Sequence, residues 1–141
     1  MVSEKVIRRR LERLEEALRR LEEKKESGLK EFLENWELQD IIVREFEVAI
    51  DACLDIGTHI ISEKGWGIPE KYPDIARILT QKGVLPQEFE KKLIKWITFR
   101  NTKVCEYLYI DLKKVYRNLE YLDDFREFAR YTKDFLEKEG K

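Results

Sequence analysis

Four residues near position 100 combine side-chain types that RNA or nucleotide chemistry uses. They are Arg100, Asn101, Cys105 and Tyr107, within the segment FRNTKVCEYLY at residues 99–109. Arginine supplies a fixed cation for phosphate, while the amide, thiol and phenol supply hydrogen-bonding or proton-transfer groups. The same residues are also compatible with the polar face of an ordinary helix. At this point the sequence leaves both interpretations open.

The spacing prevents all four side chains from converging on one small group from one regular helix. Arg100 and Tyr107 are seven residues apart and share a face, and Asn101 and Cys105 are four apart and share another. Arg100 and Cys105, however, are five residues apart, which places them about 140° apart around the helix axis. Two arrangements would bring them together. Either the helix loosens at its weak helix formers, or two chains pair and each supplies part of the site across a twofold axis.

The composition predicts one domain spanning residues 1–141 with one core. Hydrophobic residues make up 43% of the 141 residues, and 28 basic residues nearly balance 29 acidic ones. The net charge of −1 gives no general attraction to nucleic acid or to an anionic membrane. Binding of RNA would therefore need a local basic patch. The segment RRRLER at 8–13 is basic, but acidic pairs follow it closely, so we interpret it as a solvated helix face.

Several classes of site are disfavoured by the residues present. The sequence has no glycine-rich phosphate loop, no Glu-x-x-His pairs for a di-iron bundle, and His59 is its one histidine. Cys53 and Cys105 fit neither a disulfide framework nor a zinc spacing. We interpret His59 as structural and Cys53 as core, and we expect no cofactor or metal. The charged N-terminus and the lack of an 18-residue apolar run predict a cytoplasmic protein without a membrane segment.

Helical periodicity predicts an all-α, up-and-down bundle of four to five helices. The first helix starts after Ser3 and ends at Ser27 and Gly28. The second, roughly residues 35–64, is apolar on more than one face, so it is either central or in contact with another chain. A short helix containing Tyr72 and a fourth helix starting near Pro86 lead into the polar segment. Asp111 is predicted to cap a fifth helix that continues to Phe135.

With these elements in place, the sequence resembles the HepT-like toxins of the HEPN superfamily. Their hallmark is arginine, a polar residue, three residues, histidine, one residue and tyrosine. The matching run is RNTKVCEY at residues 100–107. The segments AIDACLDIGTHIIS, LPQEFEKKLIKWITFRN and YIDLKKVYRNL also fit, and the similarity spans roughly residues 5–135.

The resemblance implies an all-α homodimer whose motif lines a cleft between the two protomers. It also implies a metal-independent endoribonuclease in which the ribose 2′-OH attacks the adjacent phosphate and leaves a cyclic phosphate. Arg100 would stabilise phosphate charge, Asn101 would orient the substrate, and position 105 would act as acid and base. Tyr107 would contact RNA or accept AMP from an antitoxin that is a minimal nucleotidyltransferase of the MNT type.

Cys105 departs from the family pattern because it stands where the histidine is expected. A thiol has a pKa near 8.5, against about 6.5 for imidazole, and it cannot carry positive charge. The leading hypothesis is a toxin ribonuclease with reduced acid/base competence. The alternative is a non-catalytic dimer that binds nucleotide or RNA and regulates its nucleotidyltransferase partner. A third hypothesis is a helical dimer in which the polar motif is structural.

Overall fold

The computed structural model describes residues 3–105 and 111–140, with the side chains of residues 102–105 left undescribed. Within these ranges the regular structure is helical throughout. The elements are α1 (Glu4–Lys25), α2 (Leu29–Glu34), α3 (Trp36–Lys64), α4 (Tyr72–Gln81), α5 (Gln87–Cys105), α6 (Leu112–Arg117), a 3₁₀ helix (Asn118–Tyr121) and α7 (Asp123–Glu139). No helix among the described residues is both long enough and apolar enough to cross a bilayer.

Local capping chemistry sets most of the helix boundaries. The side chain of Asn35 accepts a hydrogen bond from the backbone N–H of Leu38 at 3.1 Å and starts α3. Asp111 does the same for the N–H of Lys114 at 3.2 Å and starts α6. Gly65 ends α3 in the left-handed conformation, with a φ of 66°. These starts and stops confirm the boundaries predicted for the second helix and the start predicted for the fifth.

Contacts between helices establish the up-and-down arrangement of the four long helices. In each antiparallel pair, residue numbers rise along one helix as they fall along the other. The contacts are Glu15–Lys133 and Glu22–Arg126 between α1 and α7, and Lys92–Glu127 and Trp96–Asp124 between α5 and α7. In α1 and α3, Arg20 pairs with Glu45, while residues 9–13 lie beside residues 51–55. The predicted all-α bundle is confirmed.

One hydrophobic core lies between these helices and includes the apolar face of α1, formed by Ile7, Leu11, Leu14, Leu18 and Leu21. Its largest fully buried side chains come from α1, α2, α3, α5 and α7: Phe32, Phe46, Phe89, Phe125, Phe128, Ile7, Leu14, Leu21, Ile42, Ile50, Ile56 and Ile60. Cys53 is also in this core, 1% exposed, as predicted. Burial raises the pKa of its thiol, so Cys53 stays neutral and unreactive.

The structure differs from the predicted elements in two places. The short helix α2 was not predicted, because its six residues contribute a single buried side chain, Phe32. The prediction of one continuous fifth helix is wrong, since the 3₁₀ helix separates α6 from α7. In α6, Tyr116 contacts the ring of Phe32 and its hydroxyl donates to the carbonyl of Lys25 at 2.8 Å. The break therefore lets α6 pack on α2 while α7 packs on α1.

Candidate functional site

An aromatic cluster fixes the part of α5 that carries Arg100. The ring of Phe99 lies edge-on to Phe46 of α3 and to Trp96 of α5, at centroid distances of 5.5 and 5.7 Å. Trp96 stacks on Phe46 at 5.4 Å and packs against Phe125 of α7 at 4.5 Å. Because rings packed this way allow little rotation of α5, the direction in which Arg100 leaves the helix is set by the core.

Arg100 is held between α3 and α4. Its Nε donates a hydrogen bond to Oδ1 of Asp51, and its guanidinium carbon lies 5.2 Å from the centroid of the Tyr72 ring. Partial burial by itself lowers the pKa of Arg100, but the hydrogen bond and the charge of Asp51 outweigh it and raise that pKa. The side chain is 20% exposed, so Arg100 presents a permanent, oriented cation at the surface.

The position of Tyr72 depends on how α4 begins and how it docks. The carboxylate of Asp74 accepts the backbone N–H of Lys71 at 3.0 Å at the start of α4. This backbone bond is the main reason that the pKa of Asp74 is lowered. Gly57 of α3 lets α4 approach closely, because a Cβ at that position would lie 2.5 Å from Cγ2 of Ile75. Close docking of α4 on α3 brings Tyr72 over Arg100.

The other three predicted site residues are placed to different extents. Asn101 is exposed and follows Arg100 on α5. The backbone of α5 stays helical through Cys105, while the side chain of Cys105 and the whole of Tyr107 lie outside the described residues. The first of the two predicted arrangements, a helix that loosens after Arg100, is therefore not adopted up to Cys105. In a regular helix, positions 100 and 105 remain about 140° apart.

Sequence reasoning missed Asp51 and Tyr72, the two residues that hold Arg100. Asp51 is 49 residues from Arg100 in the chain, and no local pattern links them. It also missed a cleft of about 490 Å³ between α1 and α3. That cleft is lined by Arg9, Arg10, Arg13, Arg44, Val48, Asp51, Ala52 and Asp55. The segment interpreted as a solvated helix face thus forms one wall of a concave basic surface.

His59 is separate from this arrangement. It lies eight residues beyond Asp51 on α3, about 12 Å along the helix axis. Its Nε2 is buried and has no hydrogen-bond partner among the described residues. Among the described residues, no three histidine, cysteine or carboxylate side chains lie close enough together to hold a metal ion.

The sequence pattern of the ribonuclease HepT-like family matches residues 14–132, which is most of the chain. The chain belongs to the HepT-like family. HepT-like proteins are part of the HEPN superfamily, so the resemblance noted from the motif is confirmed. One relative is the mRNA nuclease HepT of Shewanella oneidensis. It is 29% identical over 104 residues, which cover 73% of this chain and 78% of the relative.

Solved structures of similar chains have the same fold. One is a tri-AMPylated Shewanella oneidensis HEPN toxin in complex with an MNT antitoxin. It has 25% sequence identity and a TM-score of 0.87, over 94% of this chain and 99% of that one. Another is the cytosolic protein YutE of Bacillus subtilis, also 25% identical, with a TM-score of 0.82 over 98% and 93% of the two chains. The all-α HepT-like fold thus extends over nearly the whole chain.

Proposed function

We propose that this HepT-like protein is the toxin of a toxin–antitoxin pair and a metal-independent endoribonuclease, with its rate limited by Cys105. The observation that carries the proposal is the setting of Arg100. In a chain of a ribonuclease family, the motif arginine is fixed by an ion pair and an aromatic ring instead of extending freely into solvent. Prearranged cations of this kind stabilise charge that develops on a phosphate.

Arg100 has the geometry for phosphate recognition. A guanidinium carries five N–H donors, and the bond to Asp51 from Nε does not exhaust them. Because Asp51 and Tyr72 already restrict the side chain, little entropy is lost when a phosphate arrives. Asn101 is exposed at the adjacent position, where its amide is available to orient the ribose or the phosphate. Cleavage would proceed by attack of the 2′-OH on the adjacent phosphate, leaving a cyclic phosphate.

Cys105 limits the step that moves protons. That position has to accept a proton from the 2′-OH or donate one to the leaving oxygen near neutral pH. Imidazole does both and tolerates positive charge beside the phosphate. A thiol is mostly neutral at that pH, and its ionised form adds negative charge beside a dianionic transition state. We therefore expect RNA binding to persist in the natural protein and cleavage to be slow.

A second copy of the chain completes the proposed site. Because α5 is helical from Arg100 to Cys105, both residues cannot face one phosphate from the same protomer. A twofold axis near the end of α5 would place Arg100 of one protomer opposite position 105 of the other. The proposed ribonuclease is therefore a homodimer with a shared cleft.

The proposed partner is an antitoxin of the MNT type, a minimal nucleotidyltransferase. The similarity to the AMPylated Shewanella oneidensis toxin bound to such an antitoxin supports this choice. Transfer of AMP to Tyr107 would add a phosphate next to the motif. The negative charge of this phosphate would repel RNA, and the phosphate would pair with Arg100 in place of the substrate. Modification would thus silence the toxin without unfolding it.

Cleavage of a labelled single-stranded RNA in EDTA tests the proposal. The Cys105→His variant should cut at least ten times faster than the natural protein, since general acid/base catalysis contributes about 10²–10⁴-fold. Cys105→Ser is the matched control, because it removes the thiol without adding imidazole, and it should give no gain. Arg100→Ala in the Cys105→His background should abolish the gain. If the natural protein cuts as fast as Cys105→His, the assignment of Cys105 as a limiting residue is wrong.

The substitution at Cys105 also favours a second candidate function. A HepT-like dimer that lacks the proton-transfer residue would bind RNA or nucleotide and regulate the nucleotidyltransferase without cutting. The same assay distinguishes the two functions. A natural protein that binds RNA with no cleavage above the rate of an Arg100→Ala variant is a regulator. Measurable cleavage that depends on Arg100 identifies a ribonuclease.

A further inference from the structure

The cleft between α1 and α3 gathers basic side chains from two helices. Arg9, Arg10 and Arg13 come from consecutive turns of α1, and Arg44 comes from α3. The first three lie within five residues, so the sequence places them close together, but the approach of Arg44 is a result of folding. Four guanidinium groups on one concave surface contrast with a chain whose net charge is −1.

These four arginines outnumber the two carboxylates, of Asp51 and Asp55, that line the same cleft. Elsewhere, Arg8 pairs with Glu4 and Arg126 pairs with Glu22, both through contacts shorter than 3 Å. The cleft arginines make no hydrogen bond or ion pair with any described residue. Bringing like charges together costs free energy, and a polyanion that enters the cleft would recover it.

Asp51 links the cleft to the motif arginine. Asp51 lines the cleft and is also the residue whose Oδ1 accepts the bond from Nε of Arg100. A chain of phosphates bound along the arginines of α1 would therefore lie beside Asp51, the residue that pairs with Arg100. An anion that engages both groups has to carry several phosphates in a row. Asp55, one turn further along α3, lines the same cleft and adds a second carboxylate.

We propose that this arginine cleft binds the sugar–phosphate backbone of the single-stranded RNA substrate and leads it to Arg100. The inference rests on the proposed ribonuclease function. The uncharged lining residues are Val48 and Ala52, so the cleft offers no aromatic ring on which a base would stack. Recognition should depend on phosphate charge, tolerate changes in base sequence and weaken with salt.

Binding of a fluorescent 2′-O-methyl RNA to the full-length protein tests this proposal. The methyl group blocks attack by the 2′-OH, so binding is measured without cleavage. Arg13→Gln/Arg44→Gln should weaken the affinity about tenfold, because each exposed charge contact contributes up to about fivefold. The dependence of log K on log salt should become shallower by about 1.4, or roughly 0.7 for each lost phosphate contact.

The matched control carries the same change in net charge outside the cleft. Arg19→Gln/Arg117→Gln replaces two exposed arginines, one on α1 and one on α6, that are not part of the cleft lining. Its affinity should stay within about twofold of the natural protein, since screening weakens distant charges. Circular dichroism should show that both double variants keep the helical fold, because these side chains are exposed or half-buried.

The possible outcomes distinguish the proposed RNA binding by the arginine cleft from the proposed ribonuclease function. A larger loss for the cleft variant than for the control supports the cleft. Equal affinities of both double variants for RNA overturn it and leave the ribonuclease proposal standing. If the cleft variant keeps its affinity for RNA but no longer binds an MNT-type nucleotidyltransferase, the cleft is a protein-docking surface and the proposal of RNA binding is overturned too. Failure of the natural protein to bind RNA at all would overturn both proposals.

Discussion

Replacement of Asp51 by asparagine would test whether the ion pair orients Arg100 for cleavage. Asparagine has nearly the same shape and keeps an oxygen acceptor for Nε of Arg100, but it removes the negative charge. Two opposite effects follow from the structure. Arg100 is less firmly oriented, so cleavage should slow. The cleft loses a carboxylate that repels phosphate, so RNA should bind more tightly.

The magnitude follows from the exposure of the pair. Asp51 is 47% exposed and Arg100 is 20% exposed, so solvent screens their attraction. Exposed pairs contribute about 0.2–1 kcal/mol, and a charge-assisted hydrogen bond is roughly twice as strong as a neutral one. The substitution should therefore weaken the interaction that orients Arg100 by about 0.5 kcal/mol. This corresponds to cleavage about twofold to threefold slower, and a similar gain is expected in affinity for RNA.

The assay pairs two measurements in the Cys105→His background. Single-turnover cleavage, with protein in excess so that all the RNA is bound, gives the rate of cleavage. Fluorescence anisotropy with 2′-O-methyl RNA gives the Kd for RNA. Asp55→Asn is the matched control, because Asp55 lies one turn away on α3 and lines the same cleft. It should tighten RNA binding by a similar factor without slowing cleavage.

Only Asp51→Asn should move the rate and the affinity in opposite directions. If Asp51→Asn cuts as fast as Asp55→Asn, Asp51 has no role in orienting Arg100. Faster cleavage by Asp51→Asn would mean that the ion pair restrains Arg100 away from the phosphate, which reverses the argument.

Three further predictions concern the assembly, its modification and its stability. If two protomers share the proposed active site, a mixed dimer of the natural chain with an Arg100→Ala/Cys105→His chain should cut RNA faster than either homodimer. Light scattering should report about twice 17.1 kDa for each dimer, and a monomeric mass would contradict this. Incubation with a cognate MNT-type nucleotidyltransferase and ATP should add AMP to Tyr107, and label that persists in Tyr107→Phe would refute the assignment. Gly57→Ala should lower the free energy of unfolding by about 1 kcal/mol, because overpacking against Ile75 costs about 1–3 kcal/mol and the gain in helix propensity returns about 1 kcal/mol. Denaturant unfolding measures this change, and equal or greater stability would contradict it.

The parts of the fold that were predicted correctly depend on local chemistry. Asn35 and Asp111 cap helices through backbone groups three residues away, so each boundary is contained in a few adjacent residues. The break between α6 and α7 is different. It depends on Tyr116 reaching Phe32 and Lys25, which are about ninety residues away in the chain. No periodicity within the C-terminal segment carries that information, so a continuous helix was the natural prediction.

The same division applies to the candidate site. The motif identifies Arg100 because its residues are adjacent in the chain, whereas Asp51 and Tyr72 meet it through the docking of α3 and α4. The sequence does not reveal the basic cleft, because arginines and glutamates lie close together in α1 and their charges cancel when they are counted along the helix. In three dimensions they separate, since Glu15 and Glu22 turn toward α7 and form ion pairs there. Charge counted along one helix therefore does not reveal the charge of each face.

The proposed site divides into an electrostatic part and a proton-transfer part, and the two parts rest on different residues. The electrostatic part is held by rigid helices, since Arg100 is fixed by the core, by Asp51 and by the ring of Tyr72. The proton-transfer part depends on position 105, where a thiol replaces imidazole. Because the electrostatic part is already formed, a single Cys105→His substitution should be enough to raise cleavage, without changes elsewhere. A HepT-like chain with such a divided site would keep its affinity for RNA, while the side chain at position 105 sets its rate of cleavage.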